Sequence, residues 1–246
     1  ILDNYEVNED SLPYVIAEIG HNHQGSLDKC KELFVKAKNS GANAVKLQKR
    51  ENKKLYTKSF YKTEYNSTNS YGKTYGEHRE KLEFGNFEYA ELFKFSKEIG
   101  ITMFATPFDF YSLEFLEKFD CPFYKVASSD ITFVQLIKKI ADTGKPVIIS
   151  TGYSSFEDID RILNNISFKN EVAFLQCSSA YPAEANQINL NIIPEMIKRF
   201  PNNIIGYSGH DSGIVIPLAA YMKGARIIEK HFTLSRALKG SDHAMS

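Results

Sequence analysis

Short apolar or β-branched runs recur along this chain, each followed by a polar turn and a stretch with helical periodicity. That alternation restricts the fold more than any other feature, because repeated β-α units build a parallel sheet. Eight such runs stand out: Tyr14–Ile19, Ala44–Gln48, Thr102–Thr106, Phe123–Ala127, Val147–Ser150, Val172–Gln176, Ile204–Ser208 and Arg226–Glu229. Amphipathic segments such as SLDKCKELFVKAKNSG and FEYAELFKFSKEIG separate them, and both end in glycine, a helix stop. Eight parallel strands predict an α/β fold of the (β/α)8 TIM-barrel type. A doubly wound sheet uses fewer strands and, for dinucleotides, places G-x-G-x-x-G after the first; here the first run leads into AEIGHNHQGS instead.

The runs follow one another at roughly 20 to 30 residues, a spacing that fits β-α units. The interval between the second and third is longer and holds a polar, Tyr-, Asn- and Lys-rich stretch from Glu51 to Gly85. We therefore expect one catalytic-type barrel domain over 1–246, with 51–85 inserted in the second β-to-α connection and overhanging the site that such connections form. After the eighth run only HFTLSRALKGSDHAMS remains, too little for a covering eighth helix. A barrel strand needs its outer face buried, so we expect the full-length protein to continue beyond Ser246, or another chain to cover this surface.

Thirty Lys and Arg balance thirty Asp and Glu, which removes any general attraction to nucleic acid or anionic lipid. Cys30, Cys121 and Cys177 are odd in number and far apart, which argues against a disulfide framework or a zinc knuckle and for a reducing compartment. The first residues are acidic and polar rather than basic then apolar. The longest apolar run, Ile214 to Met222, is about half a bilayer span. The expectation is a cytoplasmic protein that engages neither membrane nor nucleic acid.

The expected strand ends carry polar groups where this fold builds its active sites. Glu18, Lys46, Gln48, Thr106, Lys125, Ser128, Asp130, Ser150, Ser179, Tyr181, Ser208, His210, Glu229 and His231 all fall there. Serine, threonine and aspartate often do no more than cap helices, and a lysine at a strand end usually reaches water. Lys46 and Lys125 resist that explanation, since they sit within the apolar runs AVKLQ and FYKVAS. Two buried cations cost several kcal/mol unless an anion is present, and the surrounding hydroxyls suit a phosphate, a carboxylate or a molecule carrying both. His210 and His231 end neighbouring strands and can converge on one ion, leaving positions open for water and substrate. Glu18 can move a proton or hold a substrate hydroxyl; its plainer role is an internal ion pair with Lys46. Cys177 has no base beside it in sequence and reads as an inert buried thiol, while His23, His78 and His243 read as loop residues.

Through these residues the chain resembles the catalytic domain of the sialic acid (N-acetylneuraminate) synthases. The resemblance runs from about Tyr14 onward through AEIGHNHQGS, NAVKLQ, ATPFD, YKVASSD, GKPVIISTG, CSSAYP, GYSGHD, EKHFTL and GSDHA. It implies condensation of phosphoenolpyruvate with an N-acetylated mannosamine-type aldose to a nine-carbon nonulosonic acid and phosphate. It also implies Glu18 as catalytic acid or base, and a phosphoenolpyruvate site of Lys46, Thr106, Lys125, Ser128, Ser150, Ser179, Tyr181 and Ser208. Gln48, Asp130 and Asp242 would lie near the sugar, His210 and His231 would hold Mn2+ or Mg2+, and the full-length protein would be a homodimer. Asp130 and Ser179 stand where some bacterial members have Glu and Asn, and nothing here corresponds to the family's small C-terminal antifreeze-like domain. Two other readings stay open. One is a phosphoenolpyruvate-dependent synthase using a phosphorylated aldose, in the manner of deoxyheptulosonate phosphate synthases, for which Lys53, Lys54 and Arg79 offer cations. The other is a non-catalytic sugar- or phosphate-binding barrel.

Overall fold

The computed structural model describes residues 2–246 and contains a closed parallel barrel of eight strands in sequence order. The strands are β1 (Tyr14–Gly20), β2 (Ala44–Lys49), β3 (Thr102–Pro107), β4 (Tyr124–Val126), β5 (Val147–Ser150), β6 (Val172–Cys177), β7 (Ile204–Gly209) and β8 (Ile227–His231). All eight expected runs are strands, with ends moved by a few residues. The fourth is shorter than Phe123–Ala127, and the eighth starts and ends later than Arg226–Glu229, so His231 lies inside a strand.

Helices α1 (Leu27–Asn39), α5 (Asn86–Ile99), α6 (Phe110–Leu116), α7 (Val134–Asp142), α8 (Phe156–Asn165), α9 (Ile192–Arg199) and α10 (Val215–Met222) return the chain between strands. The insert holds α2 (Asn52–Leu55), α3 (Lys58–Tyr61) and α4 (Tyr75–Leu82). Helix starts are set locally: the Ser26 hydroxyl accepts from the Lys29 amide at α1, and Ser155 and Asp158 form a reciprocal capping box at α8. After β8 the described residues contain one 3-10 turn, His243–Met245. The α10 face is apolar and open, with Val215 73% and Met222 77% exposed.

Alternation along each strand sends every second side chain inward. The lower interior is apolar, with Tyr14, Phe104 and Phe123 in ring contact at 6.3 and 4.3 Å. Gly206 leaves the space that Leu175 fills, since a Cβ there would lie 2.5 Å from Leu175 Cδ2. One level higher the register sets charge beside charge: Glu18 pairs with Lys46 on one side and His231 on the other, and Ser208 pairs with Glu229. The aromatic floor thus closes the barrel below a polar mouth. Phe104→Ala should cost about 3–5 kcal/mol, as for other large-to-small core changes. Urea unfolding would record it as a lower midpoint, and an unchanged midpoint would mean that this layer does not support the barrel.

Candidate active site

Two carboxyl and two amino side chains alternate across the mouth. Lys46 Nζ lies 3.1 Å from Glu18 Oε2 and 3.3 Å from Glu229 Oε1, and Lys125 Nζ lies 3.9 Å from that same Glu229 oxygen. Hydroxyls complete the line: Lys46 donates to Thr106 Oγ1 at 3.3 Å, Lys125 to Ser150 Oγ at 2.5 Å, and Ser208 to Glu229 Oε1 at 3.0 Å. Gln48 Nε2 donates to Glu18 Oε1 at 2.6 Å. Glu18, Lys46, Lys125 and Glu229 are each at most 5% exposed, so little water offsets their fields.

Burial sets the ionisation of this line, and the neighbours correct it. For Glu229 burial opposes the charge, yet the Lys125 and Lys46 ammoniums and the Ser208 hydroxyl hold its carboxyl down at about 2. For Lys46 burial likewise opposes the charge, but Glu18 and Glu229 carry its pKa above the ordinary lysine value. For Lys125 burial prevails over Glu229, Lys46 adds repulsion, and the pKa falls to about 8. The sequence pointed to an external anion as the partner of both lysines. Glu18 and Glu229 already serve as internal partners, and the Glu18–Lys46 ion pair weighed above is present.

The two imidazoles stand on the adjacent strand ends, their centres 5.6 Å apart. His210 Nδ1 meets the Ser178 carbonyl at 3.0 Å, which places the proton there and leaves Nε2 its lone pair. His231 Nδ1 is buried without a hydrogen-bond partner, 3.9 Å from Asp242 Oδ2. Burial would raise the Asp242 carboxyl, but His231 and the Ser241 hydroxyl hold it below the usual range. Among the described residues no cluster of three or more His, Cys, Asp or Glu forms a closed metal site. A free imidazole nitrogen, an orphaned one and a nearby carboxylate still suit a divalent ion with an open coordination sphere.

Cys177 corrects the sequence reading. Its Sγ lies 3.9 Å from His210 Nδ1, and although burial opposes a thiolate, His210 draws the thiol below its usual pKa. The imidazole comes from the next strand, 33 positions away, where no local pattern reveals it.

A cavity of about 610 Å³ opens above these groups. Of the residues named from sequence, Glu18, Lys46, Gln48, Lys125, Ser128, Ser150, Tyr181, Ser208, His210, His231 and Asp242 line it. Thr106 sits beneath Lys46, outside the wall. Ser179 lies behind Gly152, where an added Cβ would approach its Oγ within 2.3 Å, and its Oγ has no partner. Asp130 is also outside the wall, while its neighbour Ser129 lines it; burial raises the Asp130 carboxyl to about 6 despite Arg50. Tyr181 is 57% exposed and lays its ring over His210 at 4.0 Å.

The outer wall comes from the insert and from turns the sequence left unassigned. Tyr65, Asn69, Tyr75, His78 and Arg79 overhang the cavity, and His78 lies in α4 rather than in a loop. Arg50 packs its guanidinium 3.5 Å from the Phe108 ring centre and donates to Gln48 Oε1 at 2.8 Å. Arg79 donates to the Tyr56 hydroxyl at 3.2 Å and approaches His21 Nδ1 at 3.4 Å. Neither guanidinium forms an ion pair with a carboxylate among the described residues, and burial with repulsion from Arg79 brings Arg50 down to about 10. Arg50, one step beyond NAVKLQK, could have been found by extending the strand alternation past Gln48. His23 and His243 face inward too: His23 stacks on Phe84 at 4.1 Å, and His243 Nδ1 pairs with the Thr233 hydroxyl at 2.6 Å.

Comparison with known proteins decides the family, because residues 33–246 match the NeuB family. The chain belongs to the NeuB family. It is 42% identical over 235 residues to an N-acetylneuraminate-9-phosphate synthase of Drosophila melanogaster, covering 95% of this chain and 63% of that protein. It is 35% identical to an N,N'-diacetyllegionaminic acid synthase of Campylobacter jejuni, covering 94% of this chain and 71% of that protein. A solved sialic acid synthetase from Leptospira borgpetersenii superposes with a TM-score of 0.87 at 31% identity, covering all of this chain and 82% of that one. This chain thus spans a little under two thirds of the Drosophila relative. The barrel expected from the eight strand runs is the fold observed.

Two outcomes test the charge line. Glu229→Gln leaves two buried ammoniums facing each other and should cost about 3–5 kcal/mol of stability. Added inorganic phosphate should recover part of that loss in a thermal melt, because a ligand bound only by the folded state stabilises it. Binding of an anion such as sulfate in the cavity should weaken as pH rises through about 8, where Lys125 loses its proton. The decline should approach about tenfold per pH unit, since each bound anion then requires one proton to be regained. An affinity that stays flat across this range in calorimetry would remove Lys125 from the anion site.

Proposed function

We propose that this chain is the barrel of an enzyme that joins phosphoenolpyruvate to an N-acetylated mannosamine-type aldose, giving a nine-carbon nonulosonic acid and inorganic phosphate. The observation that carries this reading is the pair of buried ammoniums, Lys46 and Lys125, set in one cavity with Glu18 and two imidazoles. Its relatives, an N-acetylneuraminate-9-phosphate synthase and an N,N'-diacetyllegionaminic acid synthase, support it.

In this reading Lys46 and Lys125, with Ser128, Ser150 and Ser208, hold the carboxylate and phosphate of phosphoenolpyruvate, and Thr106 positions the Lys46 ammonium from outside the wall. The dianion competes with Glu18 and Glu229 for the ammonium protons. Glu229 is shared by both lysines and stays; Glu18, bound to Lys46 alone and to Gln48, is released toward the sugar. The fixed cations turn a two-substrate encounter into a near-attack geometry. C3 of the enol bonds to the aldehyde carbon while the carbonyl electrons move to oxygen, which takes a proton. Positive charge develops at C2, water adds there and gives up a proton, and the carbon–oxygen bond to phosphate breaks to leave the keto acid. Glu18 carries the associated proton transfers. His210 and His231 would hold a divalent ion, manganese or magnesium, whose chemistry when bound is polarisation of the aldehyde oxygen.

The rim favours a phosphorylated aldose. Arg50 and Arg79 lack carboxylate partners and face the cavity, which is the second cationic cluster that a sugar phosphate requires. The 9-phosphate in the name of the Drosophila relative accords with this. We also take the working enzyme to be a cytoplasmic homodimer; no helix of the described residues is long and apolar enough to cross a membrane.

The test uses full-length protein with phosphoenolpyruvate and either N-acetylmannosamine or its 6-phosphate, reading phosphate release and product mass. The expected outcome is a nine-carbon acid bearing phosphate, with strong preference for the phosphorylated sugar. Glu18→Gln should lower turnover by about 10²–10⁴-fold, the usual share of a general acid or base, with phosphoenolpyruvate binding retained. Product only from phosphorylated aldoses without an acetamido group would favour the heptulosonate-type reading. Binding with no phosphate release from any aldose would favour a non-catalytic barrel.

A further inference from the structure

Behind the two imidazoles, on the outer side of β7 and β8, lies a second buried polar group of different composition. Asp211 directly follows His210, and Lys230 directly precedes His231. The Tyr207 hydroxyl donates to Asp211 Oδ1 at 2.7 Å, and Lys230 Nζ lies 3.6 Å from Asp211 Oδ2. The same ammonium donates to the Asp211 carbonyl and, at 3.0 Å, to the Met245 carbonyl. Asp211 is 2% exposed and the Lys230 side chain 16% exposed, so these bonds are made largely out of water.

The backbone is shaped to permit this arrangement. Gly209 pairs in register with Lys230, and a Cβ on it would lie 2.4 Å from Asp211 Oδ1 and 2.8 Å from the Tyr207 hydroxyl. Only a residue without a side chain lets the carboxylate fold back over the strand end to meet both partners. Two adjacent strands are therefore tied together one residue from each imidazole. The bond to Met245 extends the tie to the turn that follows Asp242, the carboxylate nearest His231.

We infer that Tyr207, Asp211 and Lys230 form a clamp that fixes the spacing of His210 and His231, and so sets how tightly the pair holds a divalent ion. The three are positioning residues, since none lines the cavity. A flexible pair of strand ends would let the imidazoles part, and ion affinity would fall although both ligands remained. This inference rests on the reading of His210 and His231 as ion ligands.

The experiment titrates Mn2+ into the full-length protein without substrate and follows free Mn2+ by electron paramagnetic resonance, with thermal melts in parallel. Wild type should bind one ion at the pair, and His210→Ala should remove it. Lys230→Met and Asp211→Asn should weaken binding by about 10–100-fold, the range seen when partners behind metal ligands are lost. Lys230→Arg should restore most of it, and Tyr207→Phe, the mildest change, should weaken it measurably. If Lys230→Met fails to fold, Tyr207→Phe and Asp211→Asn carry the same comparison. Folded variants that bind Mn2+ as wild type does overturn the clamp alone. A wild type that binds phosphoenolpyruvate but no Mn2+ overturns the ion reading, and the clamp's role with it.

Discussion

Glu229 is the constraint around which the mouth of this barrel is organised. One carboxylate oxygen lies within reach of both Lys46 and Lys125, and without it two buried ammoniums would have only hydroxyls and Glu18 to offset them. A buried charge left unpaired is far more costly than a buried pair. The line Glu18–Lys46–Glu229–Lys125 therefore keeps the site assembled before any substrate arrives. A dianionic ligand has to share or displace these internal partners. In the proposed reaction that sharing would link binding to chemistry, because releasing Glu18 from Lys46 would free the carboxylate for proton transfer.

The barrel supplies this line through register rather than through any local motif. Glu18 stands between Lys46 and His231 because β1 pairs with both β2 and β8, and closure brings the first and last strands together. Beneath, Tyr14, Phe104 and Phe123 fill the interior and leave no room for the polar layer to sink. Above, the insert lowers α4 over the opening and brings Arg79 beside His21. The residues after β8 lean on the insert as well, through Asn69 to the Gly240 amide. The cavity is thus walled by strand ends from around the barrel, by the insert and by the segment after β8.

Much of this was legible in the chain itself. Strand runs and glycine helix stops predicted an eight-stranded barrel, and the oddity of lysine inside AVKLQ and FYKVAS picked out the two central cations. Glu229 was visible as a strand-end carboxylate, but nothing local distinguished it from any other until Ser208 stood opposite it in the register. Cys177 looked inert because the imidazole that lowers its pKa arrives from the neighbouring strand. Arg50 escaped notice because a charge after a strand is usually solvated, whereas this one is buried against Phe108.

The sequence by itself determined which elements form and which side chains reach the C-terminal mouth, because alternation and helical periodicity are local properties with a fixed period. Only the tertiary structure decided who partners whom: that both lysines share Glu229, that His210 serves Cys177 and Ser178, and that Asp211 meets Lys230. Those pairings depend on barrel closure and strand register. Short-range pattern cannot encode either, since residues that touch across the mouth are separated by dozens of positions along the chain.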